Sequence, residues 1–388
     1  MTAAPLLVYV HFPWCLEKCP YCDFVSYARP RDEIDHEGYA DAVIAELAAR
    51  APALAGEHAL HSVFLGGGTP SLWEPEQVAR VLAAIRSRFS GDDVEVTAEC
   101  NPSSLDEPRA RALLDAGVNR LSVGVQALDD ARLSFLGRLH DANGARTALL
   151  SARRAGAARL SGDLIFGVHD EPPEVARDEA VALAELGLTH LSAYALTIEP
   201  GTRFGEQARR GRLPLADDGR VAESFLEIDR ALTARGFEHY ETSNYATPGE
   251  ASRHNLGYWR GHAYLGLGCA AVGAVSTQGG FVRYKNPISP DKYRDFARRR
   301  APDAELAARE PLDGETRLRE RIMLGLRLAE GLDLAAAGEA LGVVGWTSER
   351  LRVADKLVAR GRLERDGATV RVPRSSWLFA DGVAAELF

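Results

Sequence analysis

The sequence predicts an α/β protein: six βα units curved into a barrel that does not fully close, followed by a smaller α+β module. Three observations lead there. Short β-branched runs alternate with longer amphipathic windows as far as about residue 236. From the second run onward the strands begin near residues 62, 93, 120, 159 and 190, so successive starts lie 31, 27, 39 and 31 residues apart. Each interval suits one βα unit. Beyond residue 236 the chain becomes rich in Gly, Tyr, Asn and His, then returns to helices that end in a hairpin.

The elements follow in order. "LLVYVHF" (6–12), "SVFLGG" (62–67), "DVEVTA" (93–98), "RLSVGV" (120–125), "RLSGDLIFG" (159–167) and "HLSAYALTI" (190–198) read as buried parallel strands. In the window "PEQVARVLAAIRSRF", Val78, Val81, Leu82 and Ile85 form an i, i+3, i+4, i+7 stripe, with Pro75 at its start. Residues 1–236 are therefore expected to form the core barrel and 237–388 a C-terminal domain. Within the latter, 237–290 holds short strand candidates such as "GFVRYKN" (280–286), and about 315–388 carries two or three helices. A hairpin, "RLERDGATVRV" (362–372), follows with Asp-Gly as its turn. Helices and then a hairpin resemble a winged helix. The charge balance fits a packing or lid element, and no residue of this module stands out as functional.

A chain of 388 residues with 46% hydrophobic content is ample for a large core. A formal charge of -9 argues against non-specific nucleic-acid binding, which depends on neutralising phosphates. No run of 18 apolar residues spans a membrane. The N-terminal "MTAAPLLVYVHFP" lacks a basic segment and a signal-peptide cleavage site. A cytoplasmic location is expected, where clustered cysteines read as metal ligands or redox groups and not as disulfides.

Cys15, Cys19 and Cys22 follow a C-x3-C-x2-C spacing directly after the first strand. Read from the residues alone, three interpretations stand. A structural zinc site needs a fourth ligand, and Cys100 and Cys269 are isolated and far apart. A C-x2-C redox dithiol leaves Cys15 unexplained. An iron–sulfur cluster with one thiolate per iron leaves one of four irons open. The pattern resembles the radical S-adenosylmethionine (SAM) superfamily, whose motif has this spacing after the first strand of a partial (β/α)6, TIM-like barrel. The resemblance implies a [4Fe-4S] cluster held by the three cysteines, with SAM chelating the open iron.

Polar residues cluster at strand ends, which form the active face of a βα barrel. "GGGTP" closes the second strand, Glu99 ends "VEVTAE", Gln126 ends "LSVGVQ", Arg138 sits in "FLGRLH", and Asp163 interrupts "LSGDLIFG". Taken singly, each reads more plainly as a turn, a helix cap or a satisfied core polar group. Within the coproporphyrinogen III dehydrogenase-like branch of the superfamily, positions matching Tyr9, Tyr21, Gly67, Gly68, Thr69, Glu99, Gln126, Arg138 and Asp163 bind SAM.

Two departures separate the chain from the dehydrogenase itself. That enzyme carries a further cysteine where this sequence has Phe24, and an N-terminal extension where only fourteen residues precede Cys15. Both departures resemble the heme-chaperone group of the same branch. "RHNLGYWRG" (253–261) matches that group's H-N-x-x-Y-W motif through His254, Asn255, Tyr258 and Trp259. A neutral imidazole suits heme iron, and Tyr and Trp offer large apolar faces to a porphyrin; the plainer reading packs these residues in a core. The resemblance implies heme binding and heme transfer to acceptor apoproteins such as respiratory enzymes at the inner membrane, with dimerisation possible and no nucleic-acid partner. The alternative it leaves is oxygen-independent oxidation of coproporphyrinogen III.

Overall fold

The computed structural model describes residues 3–54, 58–299 and 308–388. Six strands run parallel in sequence order: β1 (Ala4–Phe12), β2 (His58–Gly67), β3 (Glu95–Cys100), β4 (Arg120–Gln126), β5 (Arg159–Phe166) and β6 (His190–Ala195). They alternate with α1 (His36–Arg50), α2 (Pro75–Arg86), α3 (Glu107–Asp115), α4 (Ala142–Arg154), α5 (Pro173–Glu185) and α6 (Asp218–Thr233). Within α2 the expected stripe Val78, Val81, Leu82 and Ile85 is buried. Side-chain caps mark the N-termini where a short acceptor is available: Asp106 for α3 and Asp141 for α4 accept from backbone N–H groups in the first turn.

The period-2 geometry of strands sorts residues between two faces. In β4, Leu121, Val123 and Val125 join the helix-covered core, while Ser122, Gly124 and Gln126 border the barrel interior. The interior is polar. Ser161 is bonded to His190, and Asp163 accepts from Ser122 and Ser192. The barrel stays open, as expected, because β6 pairs with no strand of the first half.

Past residue 236 the sheet continues at both edges. β7 (Glu238–Glu241) and β8 (Asn244–Ala246) form a hairpin whose second strand runs antiparallel to β6. The chain then crosses the opening through α7 (Arg253–Trp259) and adds β9 (Ala263–Gly268) parallel to β1. Antiparallel strands β10 (Val272–Thr277), β11 (Gly280–Lys285) and β12 (Ala308–Pro311), with α8 (Pro290–Arg298) between the last two, complete a twelve-stranded sheet. Strands β7 to β12 thus extend the barrel sheet itself. A buried knot secures this extension: Glu46 of α1 pairs with Arg50 and accepts from Gly268 N–H, Asn286 and Tyr293.

The C-terminal module contains α9 (Gly314–Gly325), α10 (Leu334–Leu341) and α11 (Ser348–Ala359). A three-stranded sheet follows, built on the hairpin Glu364–Asp366 and Thr369–Arg371 with Leu332–Asp333 paired to its second strand. This is the winged-helix-like arrangement expected. Gly367 takes φ +60 in the Asp-Gly turn. α12 (Ala380–Glu386) closes the chain. No helix among the described residues is long and apolar enough to cross a membrane.

Candidate cluster and cofactor site

At the C-terminal ends of the strands lies a cavity of about 580 Å³, within the range of a pocket for a cofactor-sized molecule. Cys15, Cys19 and Cys22 line it, all half-buried and none in a disulfide. Their loop is tied at both ends: Trp14–Cys15 pairs in parallel with Tyr27–Ala28. Within it, Cys22 N–H donates to Cys19 O at 3.2 Å and Lys18 Nζ to Phe24 O at 2.8 Å. Burial raises the Cys15 and Cys22 thiols above their ordinary range, so a bound metal would have to supply the drive for their deprotonation. Among the described residues no three His, Cys, Asp or Glu side chains converge on one metal position.

Of the nine residues expected at SAM, eight line this cavity: Tyr21, Gly67, Gly68, Thr69, Glu99, Gln126, Arg138 and Asp163. The glycines are required by close approach. Gly67 has φ +108, and a Cβ there would lie 2.5 Å from the His11 ring; a Cβ on Gly68 would lie 2.6 Å from Trp14 O. The backbone can therefore knit onto the cysteine loop, with Gly68 N–H donating to Phe12 O at 2.7 Å and Thr69 N–H to Trp14 O at 2.8 Å. Tyr9 lies outside the cavity lining. Its hydroxyl is bonded to His11 Nδ1 at 2.9 Å, and His11 Nε2 donates to Val25 O at 2.8 Å, so Tyr9 acts on the cysteine loop through His11.

Arg138 is a half-buried cation of the site. Nη1 contacts Cys19 Sγ at 3.3 Å and Tyr21 Oη at 3.4 Å, Nη2 donates to Gly124 O at 3.0 Å, and Nε has no partner among the described residues. Burial opposes its charge, but Tyr21 and Cys19 outweigh that and raise its pKa. A guanidinium fixed beside Cys19 at the cavity edge fits an incoming carboxylate. Two half-buried acids, Glu99 and Asp163, line the same cavity. Burial first, and Asp163 second, push Glu99 up to about 8; burial likewise raises Asp163. Glu99 accepts the Gly67 N–H at 3.1 Å. The three thiols lining one cavity, the close-packed glycines and the guanidinium beside Cys19 together fit a cluster with a zwitterionic cofactor.

Some features were not legible in the sequence. Gln126 adopts φ +69 next to a register shift in β4, a strained backbone of the kind kept at functional sites. The far wall comes from Tyr194, Thr242, Arg327 and from Trp377, Leu378 and Asp381 of the C-terminal module, where no functional residue was expected. No local signal marks these positions. Phe24 borders the cavity with 58% of its surface exposed, so the position of the absent cysteine is at the mouth.

The H-N-x-x-Y-W segment lies elsewhere. α7 begins at the N-terminal ends of β2 and β3, where Glu95 accepts the backbone N–H groups of Arg253 and His254 at 3.2 and 3.1 Å and pairs with Arg159 at 2.9 Å. His254 is 1% exposed; its Nδ1 is bonded to Ser62 Oγ at 2.8 Å, and its ring meets Phe64 and Tyr258. Asn255, Tyr258 and Trp259 are half-buried. None of the four lines the cavity, but Arg327, which does, stands 4.8 Å from the Trp259 ring.

An open (β/α)6 barrel with three thiols and a cofactor pocket at its strand ends defines a radical SAM protein. Residues 9–180 match the radical SAM superfamily and residues 312–379 the HemN C-terminal domain. The heme chaperone HemW of Mycobacterium tuberculosis strain H37Rv is 34% identical over 100% of this chain and 96% of its own length; that of Escherichia coli K12 is 40% identical over 72% of each. The chain belongs to the HemW family. Among solved structures, coproporphyrinogen III oxidase (HemN) from Escherichia coli superposes with a TM-score of 0.81 at 22% identity, over 99% of this chain and 90% of that one, a likeness of fold.

Proposed function

We propose that this protein is a cytoplasmic heme chaperone: it binds heme, keeps a SAM-ligated [4Fe-4S] cluster and hands heme to acceptor proteins. The observation that carries the reading is the 34% identity to a heme chaperone along the whole chain. In this reading residues 1–236 hold cluster and cofactor, and 237–388 supply the heme-contact segment and the cavity wall. Cys15, Cys19 and Cys22 ligate three irons, leaving the fourth to the amine and carboxylate of SAM. Arg138 receives the carboxylate. Glu99 and Asp163 offer their oxygens to hydroxyl groups, and Gly67 and Gly68 let the ligand approach the backbone. Tyr9 positions the cysteine loop through His11. When reduced, such a cluster supplies an electron for cleavage of SAM; whether this chain uses that chemistry is separate from heme carriage.

Heme lies against the segment bearing His254, Asn255, Tyr258 and Trp259. The acceptors are apoproteins such as respiratory enzymes at the inner membrane, and a homodimer is the expected carrier form. The rival reading, oxygen-independent oxidation of coproporphyrinogen III, draws on the HemN-like fold. One experiment separates the two. Anaerobically reconstituted protein is titrated with hemin and, in parallel, incubated with SAM, reductant and coproporphyrinogen III. A stable Soret band without protoporphyrinogen formation supports the chaperone; turnover without hemin binding overturns it.

A further inference from the structure

A second apolar group, separate from the main core, lies at the strand ends beside the cysteine loop, where Leu136, Ile165, Val168, Phe204 and Leu213 are buried. Phe204 and Leu213 come from the stretch that joins β6 to α6 around the short helix Arg203–Arg209. Thr202 caps that helix, accepting from Gly205 N–H at 2.9 Å and donating from Oγ1 to Glu199 O at 2.8 Å. Seven residues have too few internal bonds to hold a helix alone, so packing must hold it. Gly201 at φ +85 and Gly211 at φ +64 bracket the helix, and among the described residues nothing lies within 4 Å of a Cβ built at either. Glycine there serves the backbone angle and not packing, as at positions that absorb a hinge rotation.

Phe204 meets the cysteine loop twice. Its backbone N–H donates to Pro20 O at 2.9 Å, between Cys19 and Cys22. Proline has no N–H, so that carbonyl is its one backbone hydrogen-bonding group. The Phe204 ring, 4% exposed, stands 4.9 Å from the ring of Phe135 and 6.4 Å from that of Tyr21. Gly137 reaches the same proline, since a Cβ there would lie 2.5 Å from Pro20 Cδ. Leu196, Thr197 and Glu199 of the joining stretch line the cavity together with the three cysteines. The stretch thus borders the thiols, and its hold on their loop centres on one buried aromatic residue outside the main core. A unit held by so small an apolar group opens at a lower free energy than the barrel unfolds.

We propose that residues 196–213 form a strap over the cysteine loop and that Phe204 is its latch, a positioning residue: parting of the strap, and not unfolding of the barrel, exposes Cys15, Cys19 and Cys22 and sets the rate at which a cluster is lost. The proposal rests on the cluster reading above. Its test is iron release from the full-length, anaerobically reconstituted chain to excess bathophenanthroline disulfonate with reductant. Wild type is compared with Phe204→Ala, Phe204→Leu and Leu149→Ala; Leu149 is fully buried in α4, within the main core. Phe204→Ala is expected to release iron about tenfold faster or more, with Phe204→Leu restoring most of the wild-type rate. Leu149→Ala, which weakens the barrel and not the strap, is expected to release iron at close to the wild-type rate. Hydrogen exchange of the cluster-free wild-type chain is the second readout: the hydrogen-bonded amides of residues 202–212 are expected to exchange about tenfold faster or more than those of α4. Iron release unchanged in Phe204→Ala, or accelerated equally in Leu149→Ala, overturns the latch. Exchange of residues 202–212 in step with α4 overturns the strap, and that measurement stands even if Phe204→Ala does not fold. A wild-type chain that takes up no iron removes the cluster reading itself, while hydrogen exchange still decides whether the strap opens alone.

Discussion

At the scale of single residues, the site is governed by the cost of burying charge. Glu99 has its carboxyl raised to about 8 from an ordinary value near 4.5, through burial and then through Asp163. Between those pH values the folded chain holds a proton that the unfolded chain has released. Ligand-free stability therefore falls as pH rises from about 4.5 to 8. Glu99→Gln keeps an acceptor for Gly67 N–H and removes the ionisation. Its ligand-free melting temperature should exceed that of wild type at pH 8 by on the order of 2 °C, and the difference should vanish toward pH 4.5. Thermal melts at the two pH values check this; an equal difference at both would place the effect in packing. The carboxylate spacing was readable as strand-end polarity, whereas its raised pKa was not, because burial and the approach of Asp163 arise only when β3 and β5 share one barrel interior.

At the scale of elements, α7 shows how one buried side chain can hold a segment in place. It is only seven residues long, too short to be stable by itself, and the first two donors after its cap, the N–H groups of Arg253 and His254, end on Glu95. The same carboxylate pairs with Arg159. Glu95→Ala leaves Arg159 with only the more exposed Glu250 and removes the anchor of α7. Chemical denaturation should show a loss of about 3–5 kcal/mol, the magnitude for breaking a buried pair. Hemin affinity should fall with it, while cluster absorbance at the opposite strand ends persists. A strand start in "DVEVTA" was visible in the sequence, but not that its Glu95 serves a helix some 160 positions away.

At the scale of the whole molecule, the C-terminal module and the barrel form one wall around the cavity. Trp377 is 2% exposed, donates from Nε1 to Val372 O at 2.8 Å and meets the His239 ring at 4.4 Å. Trp377→Ala should cost about 3–5 kcal/mol and, by opening the wall, weaken SAM binding more than it weakens cluster assembly. Isothermal titration with SAM against iron content per chain measures the two separately. Equal loss of both would mean that the module supports the barrel as a whole and not its mouth.

The sequence alone was enough to specify the βα period, the open barrel, the three cysteines and most strand-end polar residues. Each of these is written in local spacing: one strand and one helix per unit, three thiols within eight positions, a polar residue where an apolar run stops. Tertiary structure decided what distance in the chain conceals. It set β9 beside β1, brought Trp377 and Arg327 to the cavity, placed His254 beneath the barrel away from the cluster, and bonded Phe204 to Pro20. These pairings depend on closing loops of tens to hundreds of residues and on how much water remains around each group, and no short window of sequence encodes either.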